Sequence, residues 1–206
     1  DLSDKDLTGT ILRGADLTGT NLTGIDLSGR DLTGTILRGL DLSDKDLTGT
    51  ILRGADLTST NLTGIDLSGR DLTKTKLVGV DLSGRDLSNA NLSFADLAGA
   101  DLTDADLTNA KVYAVQLPYA NLSGQDLSNM DFSHANLVGA DITGTILDKT
   151  KFNNANLEGV NLQNANLKLA EFIDVDFTKI KNKSLAGSDL TSASFAHSNL
   201  SGVNLS

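Results

Sequence analysis

The chain has 206 residues, with 17 Lys and Arg against 27 Asp and Glu, a net charge of −10 and no Cys. That balance disfavours direct contact with nucleic acid, which is held through clustered Lys and Arg. The lack of Cys excludes a disulfide framework and a thiolate metal site, and no apolar run approaches the ~20 residues that span a bilayer.

Leu recurs at every fifth position from Leu2 to Leu107. Beyond it Val112, Phe132, Ile142, Phe152, Phe172 and Phe177 hold the same slot among further Leu, so the count of five runs unbroken to residue 177. After one slip it resumes at Leu185, Leu190, Phe195, Leu200 and Leu205, giving forty-one centres, thirty-four of them Leu. Neither a helix nor a plain strand has a period of five. A short fixed period describes a solenoid, in which neighbouring units bury the apolar face that no unit can bury alone. The chain thus divides into an uninterrupted solenoid over 1–177, a basic loop and register slip over 178–184, and a continuation over 185–206. The loop, with Lys179, Lys181 and Lys183, is expected to protrude from the wall.

Each unit repeats a pattern around its centre. Asp or Asn precedes it, Ser or Thr follows it, and a small residue such as Ala, Thr or Val stands two before it. All twenty Gly fall two places after a centre, a slot also held by Asp4, Asp44, Asn89, Asp104, Asn109, Asn129, Asn154, Asn164 and Asp174. These residue types best tolerate positive φ, which the third position of a type II turn demands. One corner per unit is the expectation, with the centre inward and the polar residues outward. Lys5, Arg30, Lys45, Arg70 and Arg85 occupy the normally small slot, where their heads must reach outward or pair with Asp.

Residues 1–40 return with few changes at 41–80, and Phe132, Phe152 and Phe172 lie twenty apart. Four units per circuit satisfy both spacings, whereas three do not. Tandem units such as Ala-Asp-Leu-Thr-Gly at 15–19 and Ala-Asn-Leu-Ser-Gly at 120–124 make the whole chain resemble the pentapeptide-repeat family. The resemblance implies an all-β, right-handed quadrilateral β-helix. At ~4.8 Å per coil, about ten coils of four five-residue units would form a rod roughly 50 Å long. The chain starts with Asp1 and begins and ends inside a repeat, so it reads as an excerpt of a larger protein or a processed chain. No signal peptide is visible, which favours a cytoplasmic location.

Little here points to chemistry. His134 and His197 are the only His, no Cys can pair with them, and the Gly are spaced for turns rather than for a phosphate loop. No catalytic, cofactor-binding or metal-binding residues are assigned. The Asn-Leu-Ser/Thr triplets are written by the repeat itself. Of Arg13, Arg38 and Arg53, which interrupt the Ser/Thr slot, Arg13 and Arg53 belong to the duplicated block, so inheritance accounts for them. Two surfaces stand out instead. Asp6, Asp26, Asp46, Asp66, Asp86, Asp106 and Asp126 should line one edge as an acidic ladder, though a straight row lacks the converging oxygens Ca²⁺ requires. Phe94, Tyr113 and His134 project from one side on successive coils, with Tyr119 on the adjacent side, a candidate partner patch of the kind aromatic anchors form. The first expectation is a non-enzymatic protein-interaction or scaffold module that binds one or more proteins. The alternative comes from the resemblance: some family members mimic B-DNA, bind DNA gyrase and confer quinolone resistance. Such proteins also suggest a homodimer through a chain end.

Overall fold

The computed structural model describes residues 1–43 and 45–206; Asp44, one of the expected corner residues, lies outside them. Each centre opens a tight turn. The N–H three residues on donates back to the centre's carbonyl, from Lys5 to Leu2 at 3.0 Å and from Thr10 to Leu7 at 2.8 Å. The third residue of these turns has positive φ, between 62° and 79° for every Gly, which separates a type II turn from a type I turn.

Successive coils pair in parallel at an offset of twenty residues, as in Asp16 with Ile36, Ile36 with Asp56 and Asp56 with Lys76. Four turns per twenty residues make the circuit four-sided. The pairings are isolated bridges rather than strands. A unit that spends most of its residues on a corner leaves only one side residue free to pair.

The centres fill the interior. Phe132 and Phe152 stack with centroids 5.6 Å apart, and Phe152 and Phe172 with centroids 5.2 Å apart. The inner wall expected from their spacing is present, and Phe195 extends it at 5.3 Å beyond the slip.

At the slip the pairing offset grows from twenty to twenty-three, as in Asn166 with Asp189 and Glu171 with Ser194. The expected protruding loop needs correction. Phe177–Lys179 and Lys181–Lys183 form two 3-10 turns around Ile180, which is buried with Phe177 and Ser184. Backbone bonds from Gly159 to the Lys179 carbonyl and from Lys181 to the Val160 carbonyl, both 2.9 Å, tie the segment to the coil before it. Burying Ile180 offsets the ordering of these residues, and Lys179, Lys181, Asn182 and Lys183 are left exposed.

The small slot controls how closely coils approach. Along the side centred on Leu87, Leu107, Leu127 and Leu147, bridges join Asp86 to Asp106 under Ala105, and Asp126 to Ile146 under Thr145. Among the described residues no bridge joins Asp106 to Asp126, where the slot holds Gln125. The next side behaves alike. Thr50, Ala90, Ala110 and Thr150 accompany intact bridges, whereas the ladder is interrupted at Arg30, Arg70 and Met130. A side chain larger than Thr wedges under the wall and lifts one coil from the next; among the described residues Val115 and Val203 are tolerated, since Asp96 still pairs with Gln116 and Ser184 with Asn204. Thr fits because its hydroxyl donates to a centre carbonyl, either one coil back, as from Thr50 to Leu27 and Thr150 to Leu127 at 3.0 Å, or in its own turn, as from Thr145 to Ile142 at 2.8 Å.

Candidate functional site

The Asp row is present, and all seven carboxylates are exposed. Each nonetheless has a local task. The Oδ1 of Asp6 accepts the Thr8 N–H at 2.8 Å, that of Asp86 the Ser88 N–H at 2.8 Å, and that of Asp126 the Ser128 N–H at 3.0 Å. Asp or Asn before a centre is thus a cap for the following turn, a role the sequence reading left out. Hydrogen bonds from the next Ser or Thr, hydroxyl first and backbone N–H second, hold the carboxyls of Asp6, Asp26, Asp46, Asp66, Asp106 and Asp126 below the usual range. Arg30 and Arg70 interleave with the row. Arg30 donates to the Leu7 carbonyl at 2.8 Å and Arg70 to the Asp66 carbonyl at 3.3 Å. Among the described residues, the ion pairs come instead from Arg13, Arg38, Lys76, Lys149 and Lys151.

Arg38 reveals a tie between coils that the sequence did not disclose. Its guanidinium grips the buried Asp56 carboxylate at 2.7 Å, and Lys76 approaches the same oxygen at 3.6 Å. Burial pushes the Asp56 carboxyl up, but Arg38 and the Thr58 hydroxyl and N–H overcome it and hold the group at about 2.

The aromatic patch forms in part. Phe94 and Tyr113 meet edge-on with centroids 5.7 Å apart, and Tyr113 and His134 do so at 5.3 Å. Phe94 is 50% exposed and Tyr113 40%. Phe94 and His134 occupy turn slots two coils apart at φ 60° and 61°, with Ala114 between them at φ 54°. Small Ala114 leaves room for the Tyr113 ring to fold between its neighbours. Tyr119 does not join them. It lies one corner away, 73% exposed, over Gly139, where a Cβ would come within 2.8 Å of its ring.

Beside Tyr113 the wall is open. The missing bridges at Gln125 and Met130 leave a groove of ≈640 Å³ between the coil through Leu107–Tyr113 and the coil through Asp126–Asp131. Its lining includes Ser93, Asn109, Lys111, Tyr113, Asp126 and Asp131. Gln125 is held beneath by a 2.7 Å bond from its amide to the Leu102 carbonyl.

Eight copies of the pentapeptide-repeat model match along residues 1–29, 26–64, 50–84, 75–111, 86–118, 116–154, 150–181 and 178–206. The chain belongs to the pentapeptide-repeat family. This pentapeptide-repeat chain is similar in fold to QnrB1, a plasmid-mediated fluoroquinolone resistance protein, with a TM-score of 0.65 at 17% identity, covering 81% of this chain and 84% of that one. It is also similar to HetL, a pentapeptide-repeat protein involved in heterocyst differentiation regulation in the cyanobacterium Nostoc sp. strain PCC 7120. There the identity is 30%, the TM-score 0.48, and the coverage 93% of this chain and 85% of that one. No curated protein matches the chain in sequence.

Proposed function

We propose that this pentapeptide-repeat rod is a non-enzymatic module that docks a protein partner on the Phe94–Tyr113–His134 face. A right-handed quadrilateral helix of about ten coils, as family membership implies, makes a stiff support that loses little entropy on binding. The observation that carries the reading is the surface contact of three rings, two of them on positive-φ backbone. A non-glycine residue in that conformation costs about 1–2 kcal/mol. Gly, Asn or Asp fills most other turn slots, so bulky rings placed there serve something other than the turn. Exposed aromatic area is also what interface anchors use. Affinity capture from host-cell lysate, comparing wild type with Phe94→Ser/Tyr113→Ser, tests this. A partner retained by wild type and lost by the variant supports it; a partner held equally by both removes the face from consideration.

A second reading is inhibitory mimicry of DNA toward a type II topoisomerase. It is favoured by the net charge of −10 and the exposed Asp row, and QnrB1 offers an analogy at the level of fold. The row serves its own turns and is interleaved with Arg30 and Arg70, which places mimicry second. A gyrase supercoiling assay with added protein separates the two. Inhibition that survives loss of the rings but disappears in Asp66→Asn/Asp86→Asn or at raised salt would favour mimicry.

A further inference from the structure

We infer that the groove beside Tyr113 receives an arginine side chain from the protein partner. This deepens the docking reading above and rests on it. Three features define the occupant. Lifting the coil through Gln125 and Met130 frees backbone groups on both rims: among the described residues, the carbonyls of Ala110, Asp126, Ser128 and Asp131 accept no backbone N–H across the gap, and the N–H groups of Asn109 and Val112 donate to no carbonyl. Donors and acceptors are both released, so the opening alone sets no preferred charge. The side chains do. Asp126 and Asp131 line the groove against a single cation, Lys111, and hydrogen bonds from Ser128 keep the Asp126 carboxyl below its usual range.

The third feature is an internal precedent. Where a bulky side chain interrupts the ladder nearer the N-terminus, that side chain is often a cation of the chain itself, as with Arg30, whose guanidinium donates to the Leu7 carbonyl at 2.8 Å. At the central opening the two wedging residues, Gln125 and Met130, are neutral. A guanidinium from outside would find two carboxylates, free carbonyls and the Tyr113 ring on which to lie. Five N–H donors and no acceptor suit Arg to such a site, and its flat face stacks on aromatic rings. The Tyr113 ring borders the groove and touches Phe94 and His134 as well, so one partner surface would engage rings and groove together.

The test uses the tripeptide Ac-Gly-Arg-Gly-NH₂ as probe and its isosteric, uncharged citrulline analogue as control, followed by NMR of the whole chain at low salt. Saturable shifts are expected at the Tyr113 ring and the Asn109 and Asp126 amides, with the citrulline peptide weaker by at least about tenfold, because only the charged head makes charge-assisted bonds. Asp126→Asn/Asp131→Asn keeps the Oδ1 atoms that accept from Ser128 and Ser133, so the fold should survive while affinity falls by at least about fivefold. Absence of shifts at the groove, equal binding of citrulline, or full affinity in the double variant would each overturn the inference. Its fate is separable from that of the docking reading. If the tripeptide fails while Phe94→Ser/Tyr113→Ser still loses the partner, the groove is wrong and the ring face stands. If the ring variant keeps its partner, the docking reading itself falls.

Discussion

The ring of Tyr113 meets the His134 imidazole edge-on, with planes inclined at 66°, and meets Phe94 in the same manner at 73°. Two of these three residues sit on backbone that glycine would occupy at less cost, so binding should respond far more than stability. Replacing Phe94 by Gly relieves the positive-φ strain and removes one edge-to-face contact, and the two effects are each about 1 kcal/mol. Thermal or urea unfolding should therefore change by no more than about 1 kcal/mol, whereas affinity for the partner should fall by a hot-spot amount, about 2 kcal/mol or more. A large loss of stability would mean that the ring serves the fold instead.

The inner stack supplies the contrasting case. Phe152 lies between Phe132 and Phe172 and is 1% exposed. Phe152→Ala should open a cavity in a wall too regular to collapse around it, and cost about 3–5 kcal/mol in equilibrium unfolding. A negligible change would show that the coils relax to fill the space.

Gln125 tests the control of coil spacing by the small slot. Gln125→Thr places there a residue whose hydroxyl can reach the Leu102 carbonyl as Thr50 reaches Leu27. The bridge between Asp106 and Asp126 should then form, and amide exchange at Asp126 should slow markedly. Unchanged exchange would leave the interruption without this steric cause, or assign it to Met130.

Acid should loosen the rod. The Asp56 carboxyl titrates at about 2 in the folded chain, below the ~3.9 of an unfolded Asp. A lowered folded pKa means that its contribution is complete above pH ~4 and is lost as pH falls through about 2. The capping carboxyls are lowered in the same direction and should add to the slope. Urea midpoints should therefore drop between about pH 5 and pH 2, less steeply in Asp56→Asn. A midpoint that does not move across this window would contradict the role assigned to these carboxylates.

The coil was legible because its determinants are local and repeated. A leucine at nearly every fifth residue fixes what faces inward, Gly, Asn and Asp mark most of the positive-φ corners, and Phe132, Phe152 and Phe172 carry the twenty-residue period. The caps were present but unread: Asp and Asn stand two residues before the N–H they accept, the ordinary spacing of an Asx turn. The groove was encoded by Gln125 and Met130 standing where Ala or Thr is usual, a signal that means something only once the adjacent coil is in place. The slip displayed its eight-residue offset, but not that Ile180 would turn inward. Tyr119 stands on the adjacent side, as its slot in the repeat implies, and that single corner is enough to keep its ring out of the contact that Phe94, Tyr113 and His134 make.

The most direct measurement of where this rod meets its partner is site-specific photocrosslinking in the cells that make it. A benzoylphenylalanine placed at Tyr113 and, separately, at Asp66 on the acidic row reports contact at each face, since an excited benzophenone bonds only to what lies against it. Docking on the aromatic face predicts a discrete adduct from position 113 and none from position 66. An adduct from position 66 with none from position 113 would contradict the account and move the interaction to the acidic edge.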